Sequence, residues 1–131
     1  MKAVPTMREC MTAFPYAIDA DRSVADAARM MEERRIRHLP VTFNGEVYSV
    51  ITQRDIRALM DDPKGDPERM KVKSLSVIDP YIATTDEYLD VVLWEMAERR
   101  VGCAVIVEGD RVAGIYTTVD ACRQFCEYLR S

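Results

Sequence analysis

The chain repeats itself. Thr52 and Asp55 recur 65 positions later as Thr117 and Asp120. With no gap, the same offset carries Pro15-Tyr16 to Pro80-Tyr81, Asp21 to Asp86, Met31 to Met96, Glu33-Arg34-Arg35 to Glu98-Arg99-Arg100, and Val47 to Val112. Apolar character follows where identity does not: Val24, Ala27, Ala28 and Met31 become Leu89, Val92, Leu93 and Met96. Spacing of i, i+3, i+4, i+7 marks one buried stripe of an amphipathic helix, expected from about Ser23 to Arg35 and again from about Asp86 to Arg100. Ser23 with Asp26 resembles a capping box at the first helix's start. A repeat of roughly 55–60 residues with only a short hairpin cannot cover its own sheet, so the two copies are expected to pack face to face.

Each helix is followed by a strand signal. Leu39 to Phe43, then Asn44-Gly45, then Val47 to Ile51 reads as a hairpin whose Asn-Gly pair accepts the positive φ angles of a tight turn. Ala104 to Val107, Gly109-Asp110 and Val112 to Tyr116 repeat the pattern. A last helix is expected from near Thr52 to Met60 and from near Thr117 to Leu129. Asp61-Asp62-Pro63-Lys64-Gly65-Asp66-Pro67 has the composition of a solvated linker. The organisation read from this is repeat 1 over 1–62, a linker over 63–70 and repeat 2 over 71–131.

Apolar residues make up 48% of the chain and charged residues 31%, the balance of a protein that folds around a core. The net charge of -4 and pI near 5.1 argue against nucleic acid as a partner, because the phosphate backbone recruits basic surfaces. No apolar run approaches the ~20 residues of a bilayer crossing, and no signal-peptide block opens the chain, so no membrane partner and a cytoplasmic location are expected. Cys10, Cys103, Cys122 and Cys126 lack metal-ligand spacing and His38 is the only histidine, so no metal site is expected and the thiols read as reduced and structural. No Ser/His/Asp or Cys/His arrangement is present, so neither an enzyme nor a catalytic cofactor is expected.

Arg35-Ile36-Arg37-His38-Leu39-Pro40-Val41, Asn44-Gly45 and Val50-Ile51-Thr52-Gln53-Arg54-Asp55-Ile56 together closely resemble the CBS domain, over nearly the whole chain. Gly114-Ile115-Tyr116-Thr117-Thr118-Val119-Asp120 keeps the pattern in the second copy, although Gly102, Cys103 and Val105 replace Arg37, His38 and Pro40 there, and Ser49 replaces the glycine in the first. The resemblance implies an α+β fold, with two β-α-β-β-α repeats related by a pseudo-twofold axis and packed sheet to sheet as one Bateman module. It also implies an adenosine-containing ligand (AMP, ADP, ATP or S-adenosylmethionine), with Mg2+ an allowed companion of ATP, and a regulatory role toward an unknown partner protein. Modules of this kind commonly pair, which implies a homodimer. A ligand-independent dimerisation or interaction module is the alternative.

By this resemblance Asp55 and Asp120 accept hydrogen bonds from the ribose hydroxyls, and Thr52 and Thr117 bind near the phosphate. A carboxylate with two acceptor oxygens suits a diol, and a helix start favours anions. Equally, Thr-x-x-Asp is a capping box that starts a helix and does nothing more. Val50 and Ile115 are expected to line the adenine slot, with Val119 a further contact. Thr12 and Ser76 or Val77 match the loop that closes it. Arg37 and His38 are implied phosphate contacts directed to the other copy's ligand, with Arg54 a further candidate, whereas Arg34 and Arg35 read as a solvated helix end. On that assignment the cleft of Thr117 and Asp120 is the tighter.

Overall fold

A computed structural model describes residues 3–13, 16–75 and 80–131. In chain order its elements are α1 (Met7–Cys10), β1 (Thr12–Ala13), β2 (Ile18–Asp19), α2 (Val24–Arg34), β3 (His38–Phe43), β4 (Glu46–Thr52), α3 (Gln53–Met60), α4 (Val72–Leu75), β5 (Ile82–Thr84), α5 (Leu89–Arg99), β6 (Cys103–Glu108), β7 (Arg111–Thr117) and α6 (Thr118–Arg130). They form two compact units. A central unit spans Tyr16–Pro80, and a split unit joins Met1–Pro15 to Tyr81–Ser131. Sequence repeat and compact unit therefore differ at their edges, because each repeat's opening segment packs with the body of the other.

In the central unit β2, β3 and β4 form a three-stranded sheet, with β2 parallel to β3 and β3 antiparallel to β4. Ser23 caps α2 by accepting the Asp26 N–H at 3.0 Å. Val24, Ala27 and Met31 are buried and Ala28 packs beside them, as the helical spacing requires. They meet Leu39, Val41 and Ile51 on one sheet face, with Ile56 and Leu59 of α3 and Val72 of α4 completing the core. The linker is exposed over much of its length but does not merely span: Pro67 and Met70 carbonyls accept the Ala25 and Val24 N–H groups at 2.9 and 2.8 Å. Two donors that α2 leaves open at its first turn are satisfied this way.

The split unit orders its strands β1-β7-β6-β5. Val92 and Met96 of α5 pack on Tyr81, Ala83, Ala104, Ile106 and Tyr116, and Met7 of α1 enters the same core. Here α5 begins at Leu89, three residues after the expected Asp86. Thr84 holds the preceding turn, its N–H donating to Glu87 Oε2 at 2.6 Å and its hydroxyl to Asp86. β1 pairs antiparallel with β7, and a Cβ on Gly114 would stand 2.8 Å from the Thr12 carbonyl oxygen and 2.4 Å from Met11 Sδ. Glycine is required there.

Several local devices repeat at the 65-residue offset. Arg35 and Arg100 close α2 and α5 in the left-handed region, with φ of 55° and 56°. Arg34 stacks over the Tyr16 ring at 4.4 Å and Arg99 over Tyr81 at 4.7 Å, so these arginines are not simply solvated. Asn44 and Gly45 both take positive φ, 53° and 82°, as a type I′ turn demands, whereas only Gly109 does so in the second hairpin. Both hairpins carry a bulge, between Val41 and Thr42 and between Ile106 and Val107.

Candidate functional site

Thr52 ends β4 and caps α3. Its hydroxyl oxygen accepts the Asp55 N–H at 3.2 Å, while Asp55 Oδ2 accepts the Thr52 N–H at 3.0 Å and the hydroxyl at 2.8 Å. Thr117 and Asp120 repeat this at 3.3, 2.8 and 3.0 Å at the start of α6. The capping boxes are therefore real in both units. They use one oxygen of each carboxylate: no hydrogen bond to Oδ1 of Asp55 or Asp120 is formed among the described residues. Capping and accepting a ligand hydroxyl are compatible in this geometry, since each ionised carboxylate has acceptor capacity to spare.

A pocket of about 510 Å³ opens beside Thr52, lined by Arg37, His38, Gln53, Arg54, Arg57, Ala58 and Asp61. The antiparallel ladder builds it by setting His38 opposite Thr52, and the Gln53 N–H donates to the Arg37 carbonyl at 2.9 Å. Arg54 and Arg57 join from α3, three residues apart and thus on one helix face. Three guanidinium groups stand against one carboxylate, that of Asp61. None of the three makes a hydrogen bond or ion pair among the described residues. Such a cluster beside a helix N-terminus is a place for a polyanion.

The predicted residues of the central unit are thereby brought together in part. Arg37, His38, Thr52 and Arg54 share the pocket, and Asp55 adjoins it through its bonds to Thr52. Val50, opposite Pro40 in the ladder and buried, does not line it. Sequence reasoning missed Gln53 and Arg57, although the Arg54-to-Arg57 spacing was a usable signal. Arg37 and His38, which the resemblance directs to the other copy's ligand, border their own unit's Thr52 here. In the split unit Thr12 pairs with Ile115 across β1 and β7, Thr117 and Asp120 are half-buried, and Val119 is exposed. Ser76 and Val77 lie outside the described residues.

The split unit carries no equivalent charge. At the 65-residue offset Arg37, His38, Arg54 and Arg57 become Gly102, Cys103, Val119 and Cys122, and only Arg123 adds a cation, where the central unit has Ala58. Cys103 is buried, and burial pushes its thiol up to about 11, so it is neutral at physiological pH. Among the described residues no cluster of His, Cys, Asp or Glu is arranged to hold a metal ion, and no helix is long and apolar enough to cross a membrane.

Comparison with known proteins follows the same lines. Residues 7–62 match the family model of the CBS domain. The L-aspartate semialdehyde sulfurtransferase of Methanocaldococcus jannaschii is 25% identical over 124 residues, covering 93% of this chain but only 23% of that protein's length. A CBS domain pair solved in complex with 5-methylthioadenosine and S-adenosyl-L-methionine has a TM-score of 0.86 at 23% identity, covering 96% of this chain and 99% of that one. The CBS domain of a bacterial CNNM/CorC family Mg2+ transporter, in complex with ATP, has a TM-score of 0.78 at 24% identity, covering 91% and 85%. At these identities the solved structures establish the fold.

Proposed function

We propose that the chain, which has the fold of a CBS domain pair and matches the CBS family model over residues 7–62, is a tandem CBS module that binds an adenine nucleotide and acts as a regulatory rather than catalytic module. One observation carries the reading: Arg37, Arg54 and Arg57 surround a single pocket beside Thr52 with no partner for their charge among the described residues. In this reading the phosphates sit among the three arginines and His38, the Thr52 hydroxyl bonds the phosphate end, and Asp55 Oδ1 accepts from the ribose. Val50 is assigned to the adenine side. Thr12, Ile115, Thr117, Val119 and Asp120 form the weaker second site, since no arginine stands at the equivalent strand entrance. The module works as a homodimer. The ligands of the related structures, 5-methylthioadenosine, S-adenosyl-L-methionine and ATP, support a nucleotide as the class to test first.

Calorimetry and thermal melting with AMP, ADP and ATP, the last with and without Mg2+, test it, with adenosine as the ligand lacking phosphate. Micromolar binding of at least one nucleotide is expected, about -8 kcal/mol, together with a rise in melting temperature, because a ligand bound only by the folded state stabilises it. Arg54→Ala should weaken that binding ~10-fold or more, the worth of one charge-assisted hydrogen bond. Absence of heat and of a melting shift for every nucleotide at millimolar concentration would remove the proposal.

A further inference from the structure

The four cysteines do not share one environment. Cys10 donates its thiol to the Thr6 carbonyl at 3.3 Å and packs against the split unit's core. Cys103 is buried at the head of β6, opposite Thr117. Cys122 and Cys126 lie on α6, the first exposed and the second half-buried, and neither makes a hydrogen bond among the described residues. Four residues apart, they share one helix face, one turn above the other. The repeat shows which face this is. At the 65-residue offset they take the places of Arg57 and Asp61, both of which line the pocket beside Thr52. The frame around those positions recurs: Cys103 meets Thr117 as His38 meets Thr52, and the Thr118 N–H donates to the Gly102 carbonyl at 3.0 Å as the Gln53 N–H does to that of Arg37. Where the central unit presents a guanidinium and a carboxylate, the split unit presents two soft thiols.

Separation decides what such a pair can hold. Cβ atoms at i and i+4 of a helix stand ~5–6 Å apart, beyond the ~3.5–4.5 Å that a disulfide allows, so direct oxidation would require α6 to unwind. Two metal–thiolate bonds of ~2.3 Å placed in line span ~4.6 Å, which bridges the same gap with the helix intact. Thiolates select soft ions, and Cu(I) is satisfied by two of them in line. Zn2+ takes four ligands, and no cluster of three or more ligating side chains is present among the described residues. Binding releases the two thiol protons, so one Cu(I) ion becomes a bis-thiolate complex with a single net negative charge. Arg123 and Arg130, three residues before Cys126 and four after it, flank that charge on the same face, and neither is paired among the described residues. The 13-residue α6 also has no buried residue, and a helix of this length is marginal without packing. A bridge across one of its turns would hold it.

We propose that Cys122 and Cys126 chelate one soft monovalent cation of the Cu(I) class along α6, with Arg123 and Arg130 balancing the charge of the complex. The inference is independent of the nucleotide reading. The full chain is titrated with Cu(I) under ascorbate and without oxygen, in competition with a chromophoric Cu(I) chelator, beside Cys122→Ser and Cys126→Ser. One ion per chain is expected. Either substitution leaves a single thiolate and should weaken binding at least ~100-fold, the worth of joining two ligands in one molecule. Excess Zn2+ should not displace the ion. A second measurement needs no substitution: Cu(I) should shield Cys122 and Cys126 alone from alkylation, mapped by mass spectrometry, and should slow hydrogen exchange in 118–130. Undiminished affinity in either variant, or shielding of Cys10 or Cys103, overturns the site. Displacement by Zn2+ means further ligands and overturns the two-coordinate assignment; one ion per two chains places the bridge between copies and overturns the chelate.

Discussion

Replacing Asp55 by alanine separates the two roles open to the Thr-x-x-Asp pair. The Asp55 carboxylate accepts the Thr52 N–H at 3.0 Å, and the substitution removes this bond. The complementary bond, from the Asp55 N–H to the Thr52 hydroxyl at 3.2 Å, belongs to the backbone and survives. Half a capping box is lost, about 0.5–1 kcal/mol, which lowers the melting temperature by roughly 2–5 °C in a protein of this size. Asp120→Ala removes the equivalent bond, 2.8 Å long, and should cost the same. Affinity distinguishes the two. If Oδ1 of Asp55 holds a ribose hydroxyl in the arginine-rich site, its loss removes at least one charge-assisted hydrogen bond of ~1.5–3 kcal/mol, and AMP binding weakens ~10-fold to ~100-fold. Asp120→Ala should leave that tighter binding intact. The assay is AMP calorimetry on both variants after melting curves show each folded. Equal losses of stability with no loss of affinity in either would mean that the carboxylates only start helices. Weakening in Asp120→Ala alone would move the tighter site to the split unit, as the resemblance-based assignment of Arg37 and His38 has it.

Two further predictions concern the scaffold. Arg100 closes α5 at φ 56°, ψ 43°, where a side chain costs ~1–2 kcal/mol and the added unfolded-state freedom of glycine offsets ~0.5–1 kcal/mol. Arg100→Gly should therefore raise the melting temperature by roughly 2–5 °C, and no rise would show that the conformation is unstrained. The Cys103 thiol, raised by burial from 9.0 to about 11, holds its proton more tightly folded than unfolded. Its contribution to stability is complete below pH 9 and is lost as pH rises toward 11. A thiol reagent at pH 8 should label the exposed Cys122 quickly and Cys103 only at the rate of unfolding; equal rates would refute the burial argument.

Most of the scaffold was legible because its signals are local. The stripe of Val24, Ala27 and Met31 and the Asn44-Gly45 turn each depend on a few neighbouring residues, and the offset then doubled every reading. The parallel strands were legible only through the resemblance, which implies a strand opening each repeat, and not from the residues themselves. β2 and β5 are two and three residues long, too short for a periodicity, and they gain order only by pairing with β3 and β6 across an intervening helix. The docking of the linker carbonyls on α2 and the packing of each repeat's opening segment with the other repeat's body are non-local in the same sense.

The charged pocket depends on the least legible feature of all. A two-residue turn at Asn44-Gly45 pairs Phe43 with Glu46, and an unbroken ladder from there sets His38 opposite Ile51, a fully buried core residue. The bulge at Thr42, where Tyr48 is the extra residue of β4, shifts the register by one, and it is Leu39 that meets Ile51. Opposed residues share a sheet face, so one step of register changes which face His38 joins. It leaves the helix-packed core and stands beside Thr52, where the Arg37 carbonyl can take the Gln53 N–H. The same bulge recurs in the second hairpin and brings Cys103 opposite Thr117. The shared bulge thus presents an arginine and histidine at the strand entrance in one unit and a glycine and neutral thiol in the other, side chains that favour the first for an anion.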